Sequence, residues 1–138
     1  MRRTSIMIAV CMVAAMALTL YAQRDIMPVM KEVGPTNAQM GKNIGAGTWA
    51  DVAKDAEKLQ GLFKEAGEFM KAQKAAGAVT WANDAAKIAG DIAAAAKAGK
   101  AEDATAAAGK LKAQCKACHD VHREGTPGNF KFKAGGNK

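Results

Sequence analysis

Cys115-Lys116-Ala117-Cys118-His119 sets two thiols and an imidazole on one helical turn, and no other feature narrows so far what the chain can fold into. Thiols at this spacing can each form a thioether to one edge of a porphyrin. The adjoining imidazole then lies close enough to bind the iron from one side. The stretch therefore reads as a haem c attachment site, with one haem held covalently through Cys115 and Cys118 and with His119 as an iron ligand. Competing uses of the same residues fit less well. A zinc site would need two more ligands, and only Cys11 and His122 are left to supply them. A thioredoxin-like dithiol needs β-α-β surroundings, and no segment reads with the period of two that a strand requires. A disulfide between Cys115 and Cys118 would close too small a loop to stabilise much.

The compartment agrees with that chemistry. Residues 1–22 read as a secretory signal peptide, with Arg2 and Arg3 as its positive start and an apolar run from Ile6 to Leu20 that is short for a membrane span. Cleavage is expected after Ala22, with export to the periplasm; an uncleaved N-terminal anchor is the alternative. Arg2-Arg3 is ordinary for such a start and is a weak twin-arginine address, and Cys11 leaves with the peptide. Of 138 residues, the 116 beyond residue 22 suffice for one domain and not for two. Loss of Arg2 and Arg3 lowers the formal charge from +7 to +5. A mildly basic surface suits acidic partners or anionic membrane faces and falls short of a nucleic-acid signature.

The rest of the mature chain reads as helix. Alanine and lysine recur throughout, with few β-branched residues. A first helix is expected from Asp25 to Ile44, with Ile26, Met27, Met30 and Val33 on one side and a kink or division at Gly34-Pro35. A second starts at Thr48 as N-cap, with Asp51 placed like a capping-box acid, and carries Trp49, Val52, Ala56, Leu59, Phe63, Ala66 and Met70 to about Ala75. Thr80 is expected to cap a third, which buries Trp81, Ala85, Ile88, Ile92 and Ala95. The fourth begins near Ala101, gains from Glu102 and Asp103 in its first turn, and runs through the motif to Arg123. Gly125 reads as the residue after its end, with Pro127 preventing continuation. Four amphipathic helices with short connections predict an all-α, antiparallel four-helix bundle over residues 23–125, followed by a flexible basic tail over 126–138, with folding of that tail over the haem crevice through Phe130 and Phe132 as the alternative.

Taken together, these residues resemble the class II cytochromes c, the cytochrome c-prime group, which carry C-x-x-C-H near the end of the last of four helices. The resemblance covers essentially the whole mature chain, and its specific anchors are Cys115, Cys118, His119, Arg123, Arg24, Met30-Lys31 and Gly34. It implies that haem sits between the first and last helices, with one edge near solvent and His119 as the proximal ligand. It also implies that the distal ligand decides function. Members with a methionine from the first helix are six-coordinate and low-spin; others leave that position apolar and the iron five-coordinate. Met30-Lys31-Glu32-Val33-Gly34 is similar to the ligand-bearing version, which makes Met30 the expected metal ligand and the chain a one-electron carrier.

Alternatives remain at that position. Met27 lies one helical turn earlier and can face the same way. Met40 lies beyond the Gly34-Pro35 break. Methionine also fills cores well, and the chain has 8 of them. With no methionine on the iron, the chain would be a high-spin binder of nitric oxide or carbon monoxide. His122, three residues after His119, projects to the same side and cannot clamp the iron from the opposite face; it reads as an aromatic substitute near the haem edge. The resemblance also implies that Arg123, matching the family's basic residue, is a haem contact that pairs with a propionate or flanks the proximal imidazole; the alternative is a partner for the helix dipole. Trp49, Trp81, Phe63 and Phe69 read as core. A peroxidase-like enzyme would need a distal acid–base histidine, and His122 is on the proximal side, so no enzymatic activity is expected. The expected partners are redox proteins, with neither nucleic acid nor a membrane span after signal removal, and pairing into a homodimer is left open.

Overall fold

The computed structural model describes residues 25–135, and helices account for 79% of them. The expectations for the signal peptide, Cys11 and Arg24 lie outside the described residues. Four helices pack against one another: α1 Met27–Ala46, α2 Trp49–Ala72, α3 Ala76–Lys97 and α4 Ala101–His122. A short antiparallel hairpin follows, β1 Arg123–Thr126 and β2 Asn129–Phe132.

Each helix end has a local cause. At the start of α1, the Met27 N–H donates to Asp25 Oδ1 at 3.0 Å, and Pro28 occupies a position where its missing donor costs nothing. Pro35 does not divide this helix, which continues from Met27 to Ala46 with Pro35 inside it. The α1, α2 and α3 ends share one design. A residue in the left-handed region, Gly47 (φ 70°), Lys74 (φ 57°) or Gly99 (φ 70°), follows the last turn. The next N–H then reaches back to a carbonyl of that turn: Thr48 to Asn43, Ala75 to Met70, Lys100 to Ala95. That backbone closure at Lys74 explains two displaced boundaries. The chain turns at Gln73–Ala75 rather than at Gly77, so Gly77 and Thr80 fall inside α3, where the Thr80 hydroxyl donates to the Ala76 carbonyl at 3.3 Å. Thr48 does stand before α2, but its hydroxyl bonds back to Asn43 and makes no cap.

Packing follows the expected stripe most closely in α2, where Val52, Ala56, Leu59, Phe63, Ala66 and Met70 are all buried. In α3 alanine carries the burial: Ala82, Ala85, Ala86, Ala89, Ala93 and Ala96 surround Ile92, while Trp81, Ile88 and Ala95 are only half-buried. Small side chains let α3 approach α2, close enough for the Gln60 amide to reach the Ala86 carbonyl at 3.4 Å. A Cβ on Gly90 would sit 2.4 Å from that amide nitrogen, so a side chain there would displace the Gln60 amide. Close packing runs from α1 to α2, α2 to α3 and α3 to α4. The α1–α4 seam has no comparable backbone contact. Consistent with this, α4 buries only Ala104, Leu111 and His122.

The end of the chain departs most from expectation. Instead of a frayed tail after Thr126, β2 pairs with β1 in a register of Arg123 with Phe132 and Thr126 with Asn129. Helix α4 stops at His122, and Arg123 is already extended (φ −109°, ψ 129°). Pro127-Gly128 makes the reversal, with Gly128 at φ 87° as a type II turn requires. Gly125 is therefore a strand residue rather than a helix stop. Its φ of 95° and a virtual Cβ only 2.4 Å from the Asn129 carbonyl leave room for no side chain.

The three helix ends generate a test. Lys74 holds a left-handed conformation that costs an L-residue roughly 1 kcal/mol and glycine nothing. Lys74→Gly should therefore raise the unfolding free energy by about 0.5–1 kcal/mol in urea titration, whereas Gly47→Ala and Gly99→Ala should each lower it by a similar amount.

Candidate functional site

The unpacked α1–α4 seam is a cavity of about 400 Å³. Helix α1 contributes Met27, Met30, Lys31, Val33 and Gly34; α2 and α3 supply apolar walls through Phe63, Met70, Trp81 and Ala85. Helix α4 lines the cavity with Cys115, Cys118, His119 and His122, and the hairpin adds Arg123, Phe130, Lys131 and Phe132. The residues singled out in the sequence, Met30, Cys115, Cys118, His119 and Arg123, thus meet at one place although the chain separates the first from the others by most of its length. Met27 lines the same cavity, while Met40 is 1% exposed in the packed core. The volume falls within the range of about 300–1,000 Å³ usual for cofactor and small-molecule sites.

The spacing of the motif acts through the helix. Cys115 and His119 are four residues apart and Cys118 is three from Cys115, so α4 turns all three toward the cavity. Both sulfurs are free thiols. Burial pushes the Cys115 thiol above its usual value, and burial together with the neighbouring Cys115 pushes Cys118 up to about 11. A reactive dithiol has the opposite signature, a depressed value that yields thiolate at neutral pH. Burial also lowers the proton affinity of His119, and the Arg123 guanidinium adds to the effect. The ring is therefore neutral at pH 7, the form that binds a metal.

Charge is distributed unevenly around this cavity. Lys31, Arg123 and Lys131 line it, and no aspartate or glutamate does. Arg123 stands in the first strand residue rather than in the last helical turn, with its guanidinium 4.4 Å from the centre of the Phe130 ring. Nearby, Asp120 is paired with Lys116 at 2.5 Å on the exposed face of α4. Among the described residues no group of three or more His, Cys, Asp or Glu side chains could hold a metal ion on its own.

His122 is the residue whose role sequence reasoning came nearest to missing. It is 2% exposed, stacked on Phe132 with ring centres 5.6 Å apart and meeting Trp81 edge-on at 5.3 Å. Its Nδ1 lies 2.8 Å from the Lys133 carbonyl, which can only accept, so Nδ1 carries the proton. Nε2 has no hydrogen-bond partner among the described residues. The alternative of a tail folded over the crevice puts Phe130 and Phe132 at this wall, and the pairing of β2 with β1 is what it lacks. The signal was available: Pro127-Gly128 is a turn pair, and Asn129-Phe130-Lys131-Phe132 alternates polar with apolar.

The thiol values give a pH test on the haem-free chain. Folding favours the neutral Cys118 thiol, so its stabilising contribution is present below the unfolded value of 9.0 and lost as pH rises toward about 11. Urea midpoints measured under reducing conditions should fall between pH 8 and pH 10.5, and Cys118→Ala should make that fall shallower. No helix of the described residues is long and apolar enough to cross a membrane. Compared with protein-family models, with curated proteins and with solved structures, the chain has no match.

Proposed function

We propose that this chain is an exported monohaem c-type cytochrome of the class II kind, an antiparallel four-helix bundle that carries one electron between redox partner proteins in the periplasm. The observation that carries the reading is the convergence of Cys115, Cys118 and His119 with Met30 on one mostly apolar cavity at the loosely packed α1–α4 seam. The residues fit haem c on independent grounds. Two neutral thiols side by side suit thioether formation, a neutral imidazole suits iron, and a porphyrin's own four nitrogens remove the need for a cluster of protein ligands. Apolar walls with three cations and no carboxylate suit a planar apolar group that bears acidic substituents.

Bound there, haem c would supply the Fe(III)/Fe(II) couple, which is all the chemistry a carrier needs. The chain supplies the setting. Cys115 and Cys118 fix the group to α4. His119 and Met30 would be the protein's ligands to the iron, and a methionine thioether there would favour the reduced state. Phe63, Met70 and Trp81 keep water from the faces, so the change of charge takes place in a low dielectric. Arg123 and Lys131 offset acidic substituents at the hairpin side. Among the described residues the α1 side of the cavity offers Lys31 and Asn37 but no histidine or carboxylate, and the reading is of a carrier.

Absorption spectra of the purified ferric and ferrous protein test the ligand set. Low-spin ferrous bands with a weak far-red methionine–iron band in the ferric form are expected. Met30→Ala should convert these to a broad high-spin spectrum with rapid carbon monoxide uptake. Conversion by Met27→Ala alone would move the ligand one turn along α1, and a high-spin spectrum in the unaltered protein would make it a gas binder.

A further inference from the structure

The hairpin covers the cavity but is fastened to the helices at few places. Its strands are exposed apart from the partly buried Phe130 and Phe132, and its turn hangs on two glycines with positive φ. The attachment is concentrated at His122. The His122 carbonyl accepts from the Lys133 N–H at 2.8 Å, while His122 Nδ1–H donates to the Lys133 carbonyl, also at 2.8 Å. One residue therefore bonds both the N–H and the C=O of Lys133, extending the β1–β2 ladder by a step through its side chain. Phe132, next in the chain, stacks on the same imidazole and meets Phe69 edge-on at 5.3 Å.

We infer that His122 is a positioning residue, a clamp that holds Phe130, Lys131 and Phe132 across the cavity mouth and so sets how freely solvent and small ligands reach the cavity. The side-chain donor, and not the ring alone, is the working part. A phenyl ring could stack on Phe132 equally well and would remove a buried acceptor, Nε2, that has no partner. Retention of an imidazole here is explained by the one thing that phenyl lacks, the Nδ1–H aimed at Lys133. Asparagine offers the reverse trade, an amide N–H at nearly the same reach with no ring.

Hydrogen exchange of the full chain separates the two contributions. His122→Phe should speed exchange of the Lys133 and β2 amides about three- to tenfold, the loss of one hydrogen bond, while amides at Leu59 and Ile92 keep their rates. His122→Asn should hold the hairpin amides within about twofold of the unaltered chain. Wild-type protection in His122→Phe would overturn the clamp, and so would exchange that rises equally in the core, since His122 would then serve the whole fold. A second arm rests on the haem reading: imidazole should associate with the ferric iron faster in His122→Phe by a similar factor and at the original rate in His122→Asn. An unchanged rate in His122→Phe would overturn the control of access. The first arm does not depend on haem, so its failure and that of the proposed function are distinguishable.

Discussion

Helix α4 turns two thiols and an imidazole toward a space that α1 does not fill, and the remaining architecture accommodates that space. A close-packed four-helix domain has no reason to leave one seam open. The cavity of about 400 Å³ along this seam is mostly apolar and partly open at the surface. The packing of α2 against α3 through alanines, with Leu59, Ile92 and Leu111 fully buried, makes a rigid half against which the looser α1–α4 half can hold its occupant.

The charge pattern gives that occupant an orientation. Lys31, Arg123 and Lys131 belong to three different elements, yet they line one cavity from which carboxylates are absent. Elsewhere some lysines are paired across and along helices, as Lys58 with Glu32 at 3.1 Å and Lys87 with Asp91 at 2.8 Å, while others, such as Lys42, Lys64 and Lys112, form no ion pair among the described residues. The three cavity cations have no such ion pair among the described residues, which leaves their charge available to acidic groups brought by the occupant.

How much of this could be read from the chain alone depended on the range of the interaction. The apolar stripe of α2 and the first turn of α4 are local patterns, and both stand as read, down to Glu102 and Asp103 near the α4 start. The meeting of Met30 with Cys115 and His119 is not local, and it is the resemblance to the class II cytochromes c, together with helical phase, that implies it. What escaped were choices made by the backbone. Lys74 takes a left-handed turn that propensity assigns to the nearby Gly77, because the closure from Ala75 to Met70 ends α2 there. Pro35 is tolerated inside α1 because the helix runs past it on an exposed side. The hairpin escaped because Gly125 and Pro127 each have a familiar meaning at a helix end, and only the pairing of Phe130 and Phe132 with the preceding strand reveals the other one. That pairing is also what buries His122, which no periodicity in α4 would have singled out.

The central claim is that one porphyrin is stapled to α4 through both sulfurs of the motif. Intact-mass and peptide mass spectrometry of the exported protein tests it most directly. The account predicts a chain heavier by one haem, with the added mass retained under denaturing conditions on the peptide that contains Cys115 and Cys118. An unmodified mass, with both thiols free to alkylate, would contradict it.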